Sequence, residues 1–262
     1  MTTLAWSYGG GWQSVATGVL IGQGKLPKPD LAGIADTSRE VGTTWEYLYG
    51  VMQPYLDRTC GVKIEVVPHS LARVDLYAND GGTLVPAYTR TEDVMGLFGE
   101  QLYKGGRLDT YCSGEWKRDV MMRWYRLKGV ESCVQMIGYS LDEAWRAKPA
   151  RKKWCQPDYP LIRMGITRQM CGEIIEAAGL PMPWKSRCWC CPHQSPEEWR
   201  EVQSRPEEFA AAVALEKEIN ERDPDHGGEL FLYSGRVPLE LATFSEKSDL
   251  AARPCADGHC WT

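Results

Sequence analysis

Ser7-Tyr8-Gly9-Gly10-Gly11-Trp12-Gln13-Ser14 stands between a short apolar run, Leu4-Ala5-Trp6, and an amphipathic run over residues 15–22. The order reads strand, glycine-rich turn, helix. Such a turn aims consecutive backbone N–H groups and a helix N-terminus at one spot, which suits an anion such as phosphate. Three adjacent glycines leave φ free and carry no Cβ, so a ligand can approach the backbone. No Gly-Lys-Ser/Thr follows, and the spacing is not Gly-x-Gly-x-x-Gly, so neither common nucleotide fingerprint applies. The same residues would also serve as a plain strand-to-helix turn with no ligand.

The chain downstream repeats the alternation. Residues 31–35 predict a second buried strand ending at Asp36-Thr37, and residues 62–67 a third. Between them, Trp45, Leu48, Val51, Met52 and Tyr55 at helical spacing predict a helix over residues 41–58. Short apolar strands alternating with helices argue for a doubly wound, mostly parallel α/β sheet covered on both faces. Its ligands belong at the carboxyl ends of the strands, where residues 7–14 and 36–40 would lie. Residues 70–107 are less regular, with a turn expected at Asp80-Gly81-Gly82 and a helix over 92–103. Residues 114–126 read as a helix, 133–137 as a fourth strand, and Tyr159-Pro160-Leu161-Ile162 as a short fifth. Thr167 caps a helix that Gly179 and Pro181 end, and Ser195-Pro196-Glu197-Glu198 opens another.

The bulk numbers bound the function. With 262 residues, 43% hydrophobic and 25% charged, the chain fits a globular protein of one large domain with an appendage. The expected division is residues 1–183, holding the sheet, and 184–262, a helical, cysteine-containing extension. A net charge of −5 supplies no global basic field for nucleic acid, though a local patch remains open. No membrane-length apolar run and no signal-peptide pattern occur, so a reducing cytoplasm and no membrane partner are expected. In that compartment ten spread cysteines point to metal, cluster or redox chemistry before disulfides. Cys188-x-x-Cys191 has the spacing of a metal hairpin but fills only half of a four-coordinate site. Cys133 and Cys171, inside a strand and a helix, read as small buried residues. The basic run 146–153, flanked by Trp145 and Trp154, reads either as a solvated loop or as a grip on a nucleic-acid backbone.

Several of these stretches together resemble the PP-loop adenine-nucleotide α-hydrolase superfamily, and most closely its phosphoadenylylsulfate (PAPS) reductase-like branch, phage-type members included. The family loop Ser-Gly-Gly-Lys-Asp-Ser is overlaid by Gly9-Gly10-Gly11-Trp12-Gln13-Ser14, and the second-strand signature by Asp36, Thr37 and Glu40. A Gly-x-x-x-Asp-Glu-x-x-Arg-like element is matched by Gly138, Asp142, Glu143 and Arg146. Tyr159-Pro160-Leu161-Ile162, Thr167-Arg168, Gly179-Leu180-Pro181 and Cys188-x-x-Cys191-Pro192 follow in the family's order, so the likeness spans roughly residues 3–200. Trp12 and Gln13 depart from it, standing where the family carries lysine and aspartate.

The resemblance implies a sheet of the HUP/PP-loop type and an enzyme that holds ATP, or PAPS, at Ser7, Gly9, Gly10, Gly11, Gln13, Ser14, Asp36, Thr37, Glu40 and Gly138. In the ATP-using version an acceptor oxygen attacks the α-phosphate, pyrophosphate leaves into the loop, and the adenylated carbon accepts sulfur or nitrogen. A nucleobase in DNA or tRNA would be such an acceptor, with a sulfur donor as partner. Lys117 and Arg118 would supply phosphate charge, Asp142, Glu143 and Arg146 would serve catalysis, and Mg²⁺ is an optional ion. The family's iron–sulfur members imply a [4Fe–4S] cluster on Cys112, Cys188 and Cys191, completed by Cys260, Cys255 or Cys190, with zinc as the rival occupant. The reductase-like version implies a tail thiolate, Cys255 or Cys260, attacking sulfur, and a thiol reductant as partner. The tail lacks the reductase-type Glu-Cys-Gly-x-His motif, and His259 there is a candidate ligand or base. A third version is a catalytically inactive nucleotide or nucleic-acid binding module, which Gln13 supports. A homo-oligomer is compatible with each.

Overall fold

The computed structural model describes residues 1–68, 76–78, 84–86, 113–222 and 231–244. Five parallel strands form one sheet: β1 (Thr3–Ser7), β2 (Leu31–Asp36), β3 (Ile64–Pro68), β6 (Cys133–Ile137) and β7 (Cys155–Asp158). Their spatial order is β3-β2-β1-β6-β7. The chain winds outward from β1 to β3, then returns to the other side of β1. The strand order therefore reverses between β1 and β6, the place where open α/β sheets bind ligands. A separate antiparallel pair joins β4 (Leu76–Ala78) to β5 (Leu84–Pro86). The turn expected at Asp80-Gly81-Gly82 and the helix expected over 92–103 lie outside the described residues.

Helix α1 (Trp12–Gly22) follows β1 directly. It was expected to be amphipathic, yet every residue from Gln13 to Ile21 is buried. It lies between the sheet and further helices, so it has no solvent face. Gly18 permits this, because a Cβ there would stand 2.8 Å from Trp6 Cη2. Val15, Val19, Leu20 and Ile21 enter the largest apolar core, each contributing about 1.5–3 kcal/mol by burial. That core also takes Leu48, Met52 and Leu56 from a helix built of α2 (Gly42–Tyr47), a π-helical turn (Leu48–Met52) and α3 (Gln53–Thr59).

The opposite sheet face packs on α4 (Asp119–Leu127), which a π-helical turn (Ser113–Arg118) precedes. Met121, Trp124 and Tyr125 bury there against Ala5, Ala35 and Cys133.

The fifth strand departs from expectation. Tyr159-Pro160-Leu161-Ile162 is not a strand: Pro160 begins the short helix α5 (Pro160–Arg163). Proline suits a helix's first turn, where its missing N–H is no loss. The edge strand instead lies just before it, and Pro157 is tolerated there as edge strands allow.

Helix α6 (Arg168–Ala177) begins on Thr167, whose side chain accepts from Met170 N, and ends at Gly179 with φ +71°. Helix α7 (Pro196–Gln203) carries the expected serine cap as a full capping box with Glu198. Helix α8 (Pro206–Arg222) packs on α7, and Trp199, Leu215 and Phe244 bury with Val41 and Trp116 in a third core. Arg205 bonds Glu46 and Glu208, and Glu208 accepts from Gly42 N at 2.8 Å, fastening the C-terminal helices to α2. No helix among the described residues is long and apolar enough to cross a membrane.

Candidate functional site

The glycine turn sits at the carboxyl end of β1, beside the reversal point. Gly10 has φ +76°, a conformation that side chains disfavour. A Cβ there would also meet Thr44 Cγ2 at 2.9 Å and Ser186 Cβ at 3.2 Å. Ser14 Oγ accepts from Gly9 N at 2.9 Å and closes the turn. Helix α1 opens on Gly11 with no side-chain cap. Its first-turn N–H groups thus lack the internal acceptor that most helices carry, and the positive end of its dipole faces the crevice.

The turn after β6 presses against this loop. A Cβ on Gly138 would stand 3.2 Å from Gln13 C and Ser14 N. Only glycine lets the two backbones approach so closely. Gln13 Nε2 donates to Glu143 Oε2 at 2.9 Å. Arg146, buried at 7% exposure, bonds Glu143 Oε1 at 2.5 Å and lays its guanidinium over Tyr139 at 4.3 Å. Glu143 is therefore neutralised by Arg146 and hydrogen-bonded by an uncharged amide. Asp142 turns toward the next helix and accepts from Arg168 N.

On the other side of the crevice, Glu40 gathers its partners. Lys117 Nζ lies 2.7 Å from Glu40 Oε1, with the carboxylate side chain 2% exposed and the lysine 15%. Ser186 Oγ donates to Glu40 Oε2 at 3.4 Å. Residues 39–41 and 187–189 pair antiparallel through Val41 N to Arg187 O, 2.9 Å, and Trp189 N to Arg39 O, 2.8 Å. This pairing brings Cys188 Sγ to 3.2 Å from Thr37 Oγ1 and 3.8 Å from Glu40 Oε1. Asp36 accepts from Ser38 N at 2.7 Å and shapes the bend after β2.

Loop, β6 turn and Glu40 group enclose one narrow cavity of ≈ 20 Å³, lined by Ser7, Gly9, Glu40, Lys117, Gly138 and Ser186. That is room for about one water. A phosphate group would have to part Lys117 from Glu40 to enter. Tyr8 also lines this cavity. Its fully buried phenol is pushed well above the ordinary range by desolvation, so it stays neutral and can donate. Behind α1, burial and the carboxylates of Asp142 and Glu143 push the Cys171 thiol up to about 12, which makes it an unreactive core residue.

Of the residues expected from sequence, Ser7, Gly9, Glu40, Lys117 and Gly138 line this cavity. Gly10, Gly11, Gln13 and Ser14 form its loop, and Thr37 stands behind it against Cys188. Arg118 turns aside to Asp119, at 2.9 Å, and with Arg146 lines a second cavity. Cys188 and Cys191 share one turn, in which Cys191 N donates to Cys188 O at 3.1 Å. Cys190 is buried in the C-terminal core. Among the described residues no group of three or more His, Cys, Asp or Glu side chains is placed to hold a metal ion. Cys112, Cys255, His259 and Cys260 lie outside the described residues, so the described part supplies two of the four thiolates that a [4Fe–4S] cluster requires. Sequence reading missed Ser186 and Tyr8. Ser186 stands two residues before Cys188, and that adjacency was its only signal.

No family model matches the chain, and no curated protein matches it. Among solved structures, the phosphoadenylyl-sulfate (PAPS) reductase from Candida auris, crystallised as a phosphate complex, is similar in fold. The TM-score is 0.44 at 12% identity, covering 70% of this chain and 76% of that one.

Proposed function

We propose that this chain is a PP-loop-type enzyme that holds an adenine nucleotide by its phosphates at residues 9–14. The observation that carries the reading is the uncapped N-terminus of α1, opened by glycines at the reversal point of the sheet. Its N–H groups and dipole favour an anion. Lys117 adds a cation to the same cavity, released to a phosphate when its ion pair with Glu40 parts. In the adenylating version, an acceptor oxygen forms a bond to the α-phosphorus while the bond to pyrophosphate breaks. The α1 N-terminus and Lys117 stabilise the charge that develops on the leaving group. A sulfur or nitrogen nucleophile then displaces AMP from the acceptor. Tyr8 and Ser186 orient the phosphates.

The Gln13–Glu143 bond favours a second version. It leaves the loop without an ionised group directed at Mg²⁺, which suits a nucleotide bound without a metal, as an adenylyl sulfate can be. A tail thiolate, Cys255 or Cys260, would attack the sulfur and release the nucleotide. A thiol reductant would then attack the cysteine sulfur of the resulting S-sulfonate, freeing sulfite and leaving a mixed disulfide that a second thiol resolves.

Cys112, Cys188, Cys191 and Cys260 would hold a [4Fe–4S] cluster, or zinc in its place, and of the four Cys188 and Cys191 lie among the described residues. When bound, a cluster would supply sulfur or polarise the acceptor. The phosphate chemistry above needs only the loop, Lys117 and the acceptor.

The test is a thermal-shift screen with ATP and Mg²⁺, and with PAPS, followed by product assays. Pyrophosphate release from ATP supports adenylation, and sulfite release from PAPS with a thiol supports reduction. No shift with either nucleotide overturns the site. Anaerobic iron, sulfide and zinc analysis decides the cluster.

A further inference from the structure

A second cavity, of ≈ 660 Å³, opens on the sheet face over β6 and β7. Its floor is Gln135, Ile137 and Pro157, residues that alternate along the two strands and so share one face. One wall is the stripe Arg118, Met122, Arg123 and Arg126, running from the end of the π-helical turn along α4. The other is the loop after Arg146, which contributes Lys148, Arg151 and Lys152. Among the described residues seven cationic side chains thus line one opening, and Asp119, itself paired to Arg118, is the one carboxylate. The whole chain carries a net charge of −5. Arg146 is held by Glu143 as well, while Lys148 and Lys152 are exposed at the rim. A cluster of cations in an otherwise acidic chain favours an anionic ligand.

We propose that this groove binds a single-stranded nucleic-acid segment, its phosphates on the arginine and lysine walls and its bases toward the sheet floor. From Arg118 to Arg126 the stripe runs about 12 Å along the helix, farther than one phosphate group can reach. A strand with successive phosphates matches that spacing. The recess has aromatic surface as well. Trp154, half-buried, lines it with Arg126 stacked over its ring at 4.0 Å, and the half-buried Tyr159 lines it too, backed by the buried Tyr139 at 5.6 Å between centroids. Rings and guanidinium planes of this kind receive unstacked bases. A duplex, about twice as wide as a helix with its side chains, would not reach the floor between α4 and the 146–154 loop. Trp145, expected to flank such a grip, does not line the groove. Ile137 is common to this groove and to the phosphate-loop cavity, so a strand held here passes beside the proposed nucleotide. The inference does not depend on that nucleotide being bound.

The experiment is fluorescence anisotropy of the full chain with labelled DNA and RNA single strands of about 12 nucleotides, and with the corresponding duplex. A single strand, DNA or RNA, should bind more tightly than the duplex. Its Kd should rise roughly 10-fold or more between about 50 and 200 mM salt, since each neutralised phosphate adds about 0.7 to the log–log slope. The exposed pair Lys148→Glu/Lys152→Glu should weaken binding at least about 10-fold, and Lys25→Glu/Lys28→Glu, elsewhere on the surface, should not. Circular dichroism checks that both variants fold. The proposal is overturned by no binding at low salt, by equal loss in both variants, by preference for the duplex, or by ATP competing as well per molecule as the strand.

Discussion

Gln13 Nε2 donates a 2.9 Å hydrogen bond to Glu143 Oε2, tying the first turn of α1 to the turn that follows β6. The amide lets the two backbones meet at Gly138 without setting two carboxylates against each other.

Gln13→Asp would remove the donor and face Glu143 with a like charge. The expected cost is about 1–3 kcal/mol in metal-free buffer. The two carboxylates would then form a cation site, so Mg²⁺ should raise the melting temperature of the variant more than that of the wild type. A variant as stable as wild type without Mg²⁺ would show that the bond contributes nothing.

Lys117→Met leaves Glu40 buried with its ion pair gone. Breaking such a pair costs about 3–5 kcal/mol. Lys117→Met/Glu40→Gln should regain most of that in urea titrations. Both variants should still lose nucleotide affinity, because the cation is missing from each. Full affinity in the double variant would remove Lys117 from the phosphate site.

Gly10→Ala meets both an unfavourable φ and the side chains of Thr44 and Ser186. Gly24 has a similar φ of +70° with open space around it, so Gly24→Ala meets the backbone cost alone, about 1–2 kcal/mol. Gly10→Ala should exceed it by about 1–3 kcal/mol from crowding. Equal urea midpoints for the two variants would mean that Thr44 and Ser186 simply move aside.

Stability should fall at alkaline pH. Burial raises Tyr47 from 10.0 and Cys171 from 9.0, each to about 12, and raises Tyr8 and Tyr125 further. Folding thus holds these protons more tightly than the unfolded chain does. Their contribution is complete below pH 9 and is lost as pH rises from 9 toward 12. Each such proton adds a slope of about 1.4 kcal/mol per pH unit. Urea midpoints should drop above pH 9, and Cys171→Ala should flatten the curve between about 9 and 10. Midpoints constant from pH 8 to 11 would contradict the burial of these groups.

Much of the fold was legible because its signals are local. The apolar run before Ser7, the glycines after it, the cap at Thr167 and the capping box at Ser195 each act within a few residues. The edge strand was not legible. Cys155-Gln156-Pro157-Asp158 is paired on one side only, so it needs neither an apolar run nor a complete set of N–H donors, and it reads as loop. The apolar Tyr159-Pro160-Leu161-Ile162 beside it imitates a strand but is a helical turn packed under α1.

The site divides the same way. Sequence by itself determined a glycine-rich turn between the first strand and its helix, since glycine content and chain order are enough for that. It also named Glu40, Lys117 and Cys188 as separate candidates. That they meet was decided by the tertiary structure, through the pairing of residues 39–41 with 187–189 and the placing of Lys117 over the end of β2. The same holds for the basic groove, whose walls come from α4 and from a loop about twenty residues later, either of which alone reads as a solvated face. Periodicity and capping act over a few residues, whereas charge gathers in a cleft only when distant segments are folded against each other.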